Sequence, residues 1–201
     1  MRYSRSFFER PAYVVARELL GAELHHVIDG KELIGRIVET EAYDQSDQAC
    51  HGYRGVTERT KPLFGHAGFS YVYFTYGMHW CFNVVTEKEG HGAAVLVRAV
   101  APIAGIEEMR KRRKGITKDH ELTSGPARLT LGMGIAKAEN SIDLLESDIL
   151  FLAKGKLAKG ETVGVTTRIG ITKDVELPWR FFIDGNKFVS RGKPSVLKAE
   201  E

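Results

Sequence analysis

A chain of 201 residues, 43% hydrophobic and 27% charged, suffices for one domain with an ordinary core and is too apolar to stay disordered. Its net charge of +3 permits a polyanionic partner without demanding one. Two cysteines, Cys50 and Cys81, are too few for a secreted disulfide scaffold. No apolar run is long enough for a signal peptide or a membrane span, so a cytoplasmic protein with no membrane partner is expected.

Pro11 to Leu20 reads as a helix: Pro11 suits its first turn, Val14, Val15, Ala16, Leu19 and Leu20 give an apolar face, and Gly21 suits the stop. Glu23 to Ile28 and Glu32 to Tyr43 read as strands joined by an Asp29-Gly30 turn. Asp44 to Ser70, polar and glycine-rich, is expected to be a long ordered loop, and such loops usually carry function. Tyr71 to Thr75, Met78 to Thr86 and Ala93 to Ala101 read as strands, with Tyr76-Gly77 at the turn between the first two. Pro102 to Arg113 reads as a helix: Glu107 and Glu108 precede Lys111 and Arg112 by four residues, and Gly115 ends it. Ser124-Gly125-Pro126 opens a second short helix ending near Gly132, and from Ile149 to Val189 strands alternate with Gly and Asp turns. The sum is a single α+β domain. It is expected to hold a curved, mainly antiparallel β-sheet with a few packed helices and a protruding β-hairpin.

Two segments stand out chemically. Residues two apart share a face of a strand, so Ile37, Glu39, Glu41 and Tyr43 lie on one side and Val38, Thr40 and Ala42 on the other. That aligns two carboxylates and a tyrosine at the end of an apolar strand, where a carboxylate is a candidate general base. Two ordinary solvated glutamates give the same pattern, and so do the paired carboxylates of an O-glycoside hydrolase. The second segment, Tyr71 to Asn83, puts Tyr76 at a hairpin tip, where it cannot be core and implies a partner. In a nucleic-acid protein such a side chain wedges between base steps, while Tyr71 and Tyr73 line a pocket that stacks a base. A strand pair with aromatic packing, or a non-catalytic nucleic-acid-binding module, accounts for this segment too.

Arg54, Arg59 and Lys61 in the long loop, and Arg110 and Arg112 in the helix after it, are candidates for the phosphate backbone. Cations near a helix C-terminus explain the latter pair equally well. Cys50-His51 and His79-x-Cys81 match no zinc spacing, so no metal is expected.

Taken together, GRIVETEAY (Gly35 to Tyr43), YVYFTYGMHWCFNVV (Tyr71 to Val85), AAVLVRAVAP (Ala93 to Pro102), LTSGPARL (Leu122 to Leu129) and RIG (Arg168 to Gly170) resemble the alkyladenine, or 3-methyladenine/methylpurine, DNA glycosylase family. The resemblance spans roughly residues 10 to 190 of one catalytic domain, of the kind expected in a bacterium. It implies a base excision repair enzyme that flips alkylated or deaminated purines out of double-stranded DNA and hydrolyses the N-glycosidic bond, without a lyase step.

By this resemblance Glu41 activates the water, Arg98 helps hold both, and the Ile169 backbone carbonyl is the water's other ligand. Tyr43, His51 and Tyr73 sandwich the flipped purine, Asn83 disfavours the exocyclic amine of guanine, and Tyr76 inserts into the minor groove. The resemblance implies no cofactor and no metal; nothing in the sequence suggests an obligate protein partner, so a monomer is expected. Two features depart from it. His79-Trp80 is bulky, which bears on groove contacts, and the loop Asp44 to Gly55 is short, which bears on His51.

Overall fold

A computed structural model describes residues 1–196. The first hairpin is built from β1 (Glu23–Ile28) and β2 (Lys31–Tyr43), paired antiparallel across Asp29 and Gly30. Both turn residues have positive φ, 50° and 74°, which matches the right-handed twist of the strands it joins. The 13-residue β2 is the spine of the sheet. Along one edge it pairs with β5 (Ala94–Ala104). Along the other it pairs first with β1 and then, at Glu39 to Glu41, with β8 (Arg180–Ile183).

The remaining strands are β3 (Ser70–Thr75), β4 (His79–Val85), β6 (Leu150–Ala153) and β7 (Val163–Thr166). The order is β3-β4-β5-β2-β1-β6, with β8 beside β2 and β7 beside β8, and every pairing is antiparallel. The β2/β5 register shifts between Ile37 and Glu39 and again between Glu39 and Thr40. Such irregularities bend a strand and re-aim its side chains. This one falls where the two glutamates stand.

Among the described residues four α-helices complete the fold: α1 (Arg5–Phe8), α2 (Ala12–Glu18), α3 (Ile106–Arg112) and α4 (Pro126–Met133). Helix α2 buries Val15 and Ala16, and Thr40 of β2 donates its hydroxyl to the Ala16 carbonyl at 2.8 Å. Helix α4 buries Leu129 and Met133, and Thr130 donates to the Trp80 carbonyl of β4 at 3.0 Å.

One local expectation is corrected, and two details are added to the others. Pro102 does not open a helix, because β5 continues through it to Ala104 and α3 begins only after Gly105. β4 pairs only with Ala94 to Leu96, so β5 has a single strand neighbour at Pro102, and a residue without an N–H is tolerated there. Gly105 has φ 72°, and a Cβ there would stand 2.7 Å from the Glu32 carbonyl, so the turn into α3 requires glycine. Helix α1 was not anticipated; its four residues are too few for a periodic signal. The loop from 44 to 69 holds two single-turn 3-10 helices, His51–Arg54 and Lys61–Phe64. Its side chains Cys50, Leu63 and Phe64 form a second small core with Tyr71, Val85 and Ala94.

Candidate active site

Glu41 projects from the face of β2 opposite Thr40 and is fully buried. A buried carboxylate requires donors, and three converge on it. The Ile169 backbone N–H reaches Oε1 at 2.7 Å, Arg98 Nη1 lies 3.1 Å from the same oxygen, and the Tyr43 hydroxyl donates to Oε2 at 2.8 Å. Burial, followed by the Glu41 charge, raises the Tyr43 phenol well above its usual range, so it stays a donor.

Glu39 is buried as deeply but is differently occupied. Its Oε1 accepts from Arg98 Nε, Arg180 Nε and the Ser190 hydroxyl, each at 2.8 Å, and its Oε2 accepts from the Ser190 N–H at 2.7 Å. Burial pushes its pKa up, but Arg98, Arg180 and the Ser190 N–H outweigh burial and hold it below the usual carboxylate range. Four donors leave Glu39 no free role as acid or nucleophile, which weighs against a paired-carboxylate glycosidase.

In front of Glu41 lies a cleft of ≈ 450 Å³, and Tyr43, Arg98 and Ile169 each extend from Glu41 to its wall. The opposite wall is aromatic. Tyr71 and Tyr73 share one face of β3 with ring centroids 5.4 Å apart, and the His51 ring meets Tyr73 edge-on at 4.4 Å. His51 Nδ1 and the Tyr71 hydroxyl are in hydrogen-bond contact at 3.0 Å. Burial, then the charge of Arg59, lowers the His51 pKa to about 4, so this wall is uncharged at neutral pH. Asn83 also lines the cleft, its amide donating to the Tyr71 carbonyl at 2.9 Å. A neutral aromatic slot with a carboxylate behind one end suits a flat heterocycle.

The β3/β4 hairpin turns at Tyr76 and Gly77, with φ of 51° and 67°, and the Met78 N–H donates to the Thr75 carbonyl at 3.2 Å. Asparagine is favoured at the first of these positions, and a bulky residue there is strained. Tyr76 is nevertheless 82% exposed and lines the rim of the cleft, with Phe74 and Met78 also exposed beside it. Strain and an exposed apolar tip together mark a contact surface. Tyr76→Asn is expected to raise stability by about 1 kcal/mol while impairing activity. Thermal unfolding and an activity assay run side by side check this; an unchanged unfolding midpoint would remove the strain argument.

A family model described as methylpurine-DNA glycosylase matches residues 6–187. The chain belongs to this family. Among its relatives, a protein of Carboxydothermus hydrogenoformans provisionally named 3-methyladenine DNA glycosylase is 48% identical over 191 residues, covering 95% of this chain and 100% of the relative. Proteins with the same provisional name from Chlorobaculum tepidum and Francisella tularensis are 43% and 49% identical, over 96% and 88% of this chain and 92% of each relative.

In this glycosylase the residues singled out from the sequence divide into two groups. Glu41, Arg98, Ile169, Tyr43, His51, Tyr73, Asn83 and Tyr76 gather at one cleft, Glu41 standing just behind its wall. Arg59 lies beside the aromatic wall, its guanidinium 5.4 Å from the Tyr73 ring centroid and donating to the Phe74 carbonyl at 3.3 Å, and none of Arg54, Arg59 and Lys61 has a carboxylate partner among the described residues. Arg110 and Arg112 are placed elsewhere. Arg110 pairs with Asp119 and Glu107, Arg112 donates to the Glu108 carbonyl at 3.2 Å, and neither lines the cleft.

Sequence reasoning missed one pair. Asp47 and Arg168 are both fully buried, with Nη2 donating to Oδ1 at 3.0 Å, and Arg168 also donates to the carbonyls of Ala42 and Asp174 at 3.1 Å. Its guanidinium lies 4.7 Å from the Tyr43 ring centroid. The pair thereby ties the loop after β2 to the segment carrying Ile169. Arg168 opens the RIG motif, but nothing in the sequence marks Asp47 as its partner. Among the described residues, no helix is long and apolar enough to cross a membrane.

Proposed function

We propose that this glycosylase removes alkylated purines, 3-methyladenine foremost, from duplex DNA by hydrolysing the N-glycosidic bond, with Glu41 as general base. The observation carrying this reading is a fully buried carboxylate, held by three donors, behind an aromatic cleft rimmed by an exposed tyrosine. Flipping a nucleotide costs a few kcal/mol, and Tyr76 offsets part of that cost by taking the vacated place in the stack. The purine enters between Tyr43, His51 and Tyr73, with Asn83 screening its edge. Glu41 removes a proton from a water that Arg98 and the Ile169 carbonyl help hold, and the resulting hydroxide attacks the anomeric carbon.

A purine alkylated at N3 or N7 is cationic and leaves as a neutral base. Deaminated purines such as hypoxanthine are neutral and need help at the leaving group, so they are expected to react more slowly. Among the described residues the groups contacting Glu41 are Arg98, Tyr43 and Ile169; Lys173 lines the cleft but is not one of them, which supports simple hydrolysis over a lyase step.

The test is chromatography of bases released from methylated duplex DNA, alongside a strand-cleavage assay. Free 3-methyladenine with intact strands is the expected result. DNA binding with no release from methylated, deaminated or etheno-containing duplexes would instead identify a non-catalytic binding module.

A further inference from the structure

Residues 190–196 have no regular secondary structure, yet they are attached at three points around Glu41. Ser190 supplies two of the four donors on Glu39, and Arg98 Nη2 lies 3.4 Å from its hydroxyl. Glu39 in turn grips Arg98 through Nε, which sets the plane of the guanidinium whose Nη1 meets Glu41. Two residues on, Gly192 lies against Ile169, where a Cβ would come 2.8 Å from Ile169 Cγ2 and 3.0 Å from Cδ1. Ser195 then holds the segment that carries Ile169. Its N–H donates to the Arg168 carbonyl at 2.7 Å, its carbonyl accepts from the Thr167 hydroxyl at 2.7 Å, and its hydroxyl accepts from the Ile171 N–H at 3.2 Å.

These attachments bracket the carboxylate. Arg98 approaches Glu41 from β5 and Ile169 from the segment between β7 and β8, and the same six residues hold both. We propose that residues Ser190 to Ser195 form a strap that positions Arg98 and Ile169 on Glu41, with Ser190, Gly192 and Ser195 as positioning residues. The inference rests on the reading of Glu41 as general base. Catalytic geometry is steep, a displacement of about 1 Å costing about 100-fold, so a strap that holds two groups in register affects rate more than affinity. Arg191 to Pro194 are exposed, so a substitution within them opens no core.

The full chain carrying Ser190→Ala or Gly192→Ala is compared with wild type for three quantities: single-turnover base release at saturating methylated duplex, affinity for that duplex, and unfolding midpoint. Each variant is expected to release base about tenfold more slowly with affinity unchanged. Ser190→Thr, which keeps the hydroxyl, retains the wild-type rate. Ile169→Ala removes both atoms a Cβ at 192 would strike, so Gly192→Ala has no added effect in that background. Wild-type release in both single variants, rate losses that merely follow the unfolding midpoint, or additive losses in the double variant would each overturn the strap. If the wild type releases no base, the functional reading fails and the strap falls with it.

Discussion

Glu41→Gln is expected to slow single-turnover base release by about 100- to 10,000-fold, the range general acid–base catalysis contributes. The substitution keeps the shape of the side chain. The amide oxygen can still accept from the Ile169 N–H, and Arg98 keeps Glu39 as a carboxylate partner. What is lost is the ability to take a proton. Glu41 has no exposed surface, so affinity for duplex DNA is expected to stay within a few-fold of wild type. Release from methylated duplex and equilibrium binding to the same duplex separate the two effects. A rate within tenfold of wild type would show that Glu41 is not the base. A parallel loss of affinity and rate would place its role in binding instead.

Asp47→Ala is expected to be the most damaging change outside Glu41. It strips the charged partner from Arg168, whose side chain has no exposed surface. The carbonyls of Ala42 and Asp174 still accept from the guanidinium, but neither carries a charge to balance it. Removing one partner of a buried ion pair destabilises by about 3–5 kcal/mol, because the remaining charge stays desolvated. Urea unfolding is the direct measurement. The double variant Asp47→Leu/Arg168→Met should recover much of the loss, since no charge is then left buried. A drop below about 1 kcal/mol for Asp47→Ala would mean that water or a rearranged side chain reaches Arg168 at little cost. Local loosening is expected to show first in the segment from Arg168 to Asp174, which Asp47 and the backbone N–H of Gln48 both anchor, the latter through the Asp174 carboxylate at 2.6 Å.

Much of the scaffold is legible in the sequence, and for a definable reason. Strand periodicity, the Asp29-Gly30 and Tyr76-Gly77 turns, the α2 face and the Ser-Gly-Pro start of α4 are short-range signals, written within a few residues of where they act. They place Glu41 near the end of β2 and Tyr76 at a hairpin tip. The resemblance to the glycosylase family adds which side chains meet. Where a local signal competes with pairing, pairing prevails: Pro102 reads as a helix start, but a long β2 extends its partner through it.

The sequence by itself determined the sheet-forming segments, the exposed tyrosine, the candidate carboxylates and, through its motifs, the family. The resemblance singled out Glu41, but only the tertiary structure supplies the physical difference between the two glutamates. Both belong to one strand and are fully buried, and by alternation alone they are equivalent. Glu39 is saturated by Arg98, Arg180 and Ser190, while Glu41 meets Ile169, Arg98 and Tyr43 at a cleft wall. The decisive partners lie 128 residues along the chain for Ile169 and 151 for Ser190, and the Asp47–Arg168 pair spans 121. A carboxylate's chemistry depends on what surrounds it in a poorly solvated interior, where donors at hydrogen-bond distance dominate. Periodicity carries no information about contacts between segments so far apart in sequence. They exist because β2 bends at its register shifts and pairs with β8, bringing the C-terminal segments against the strand that bears the glutamates.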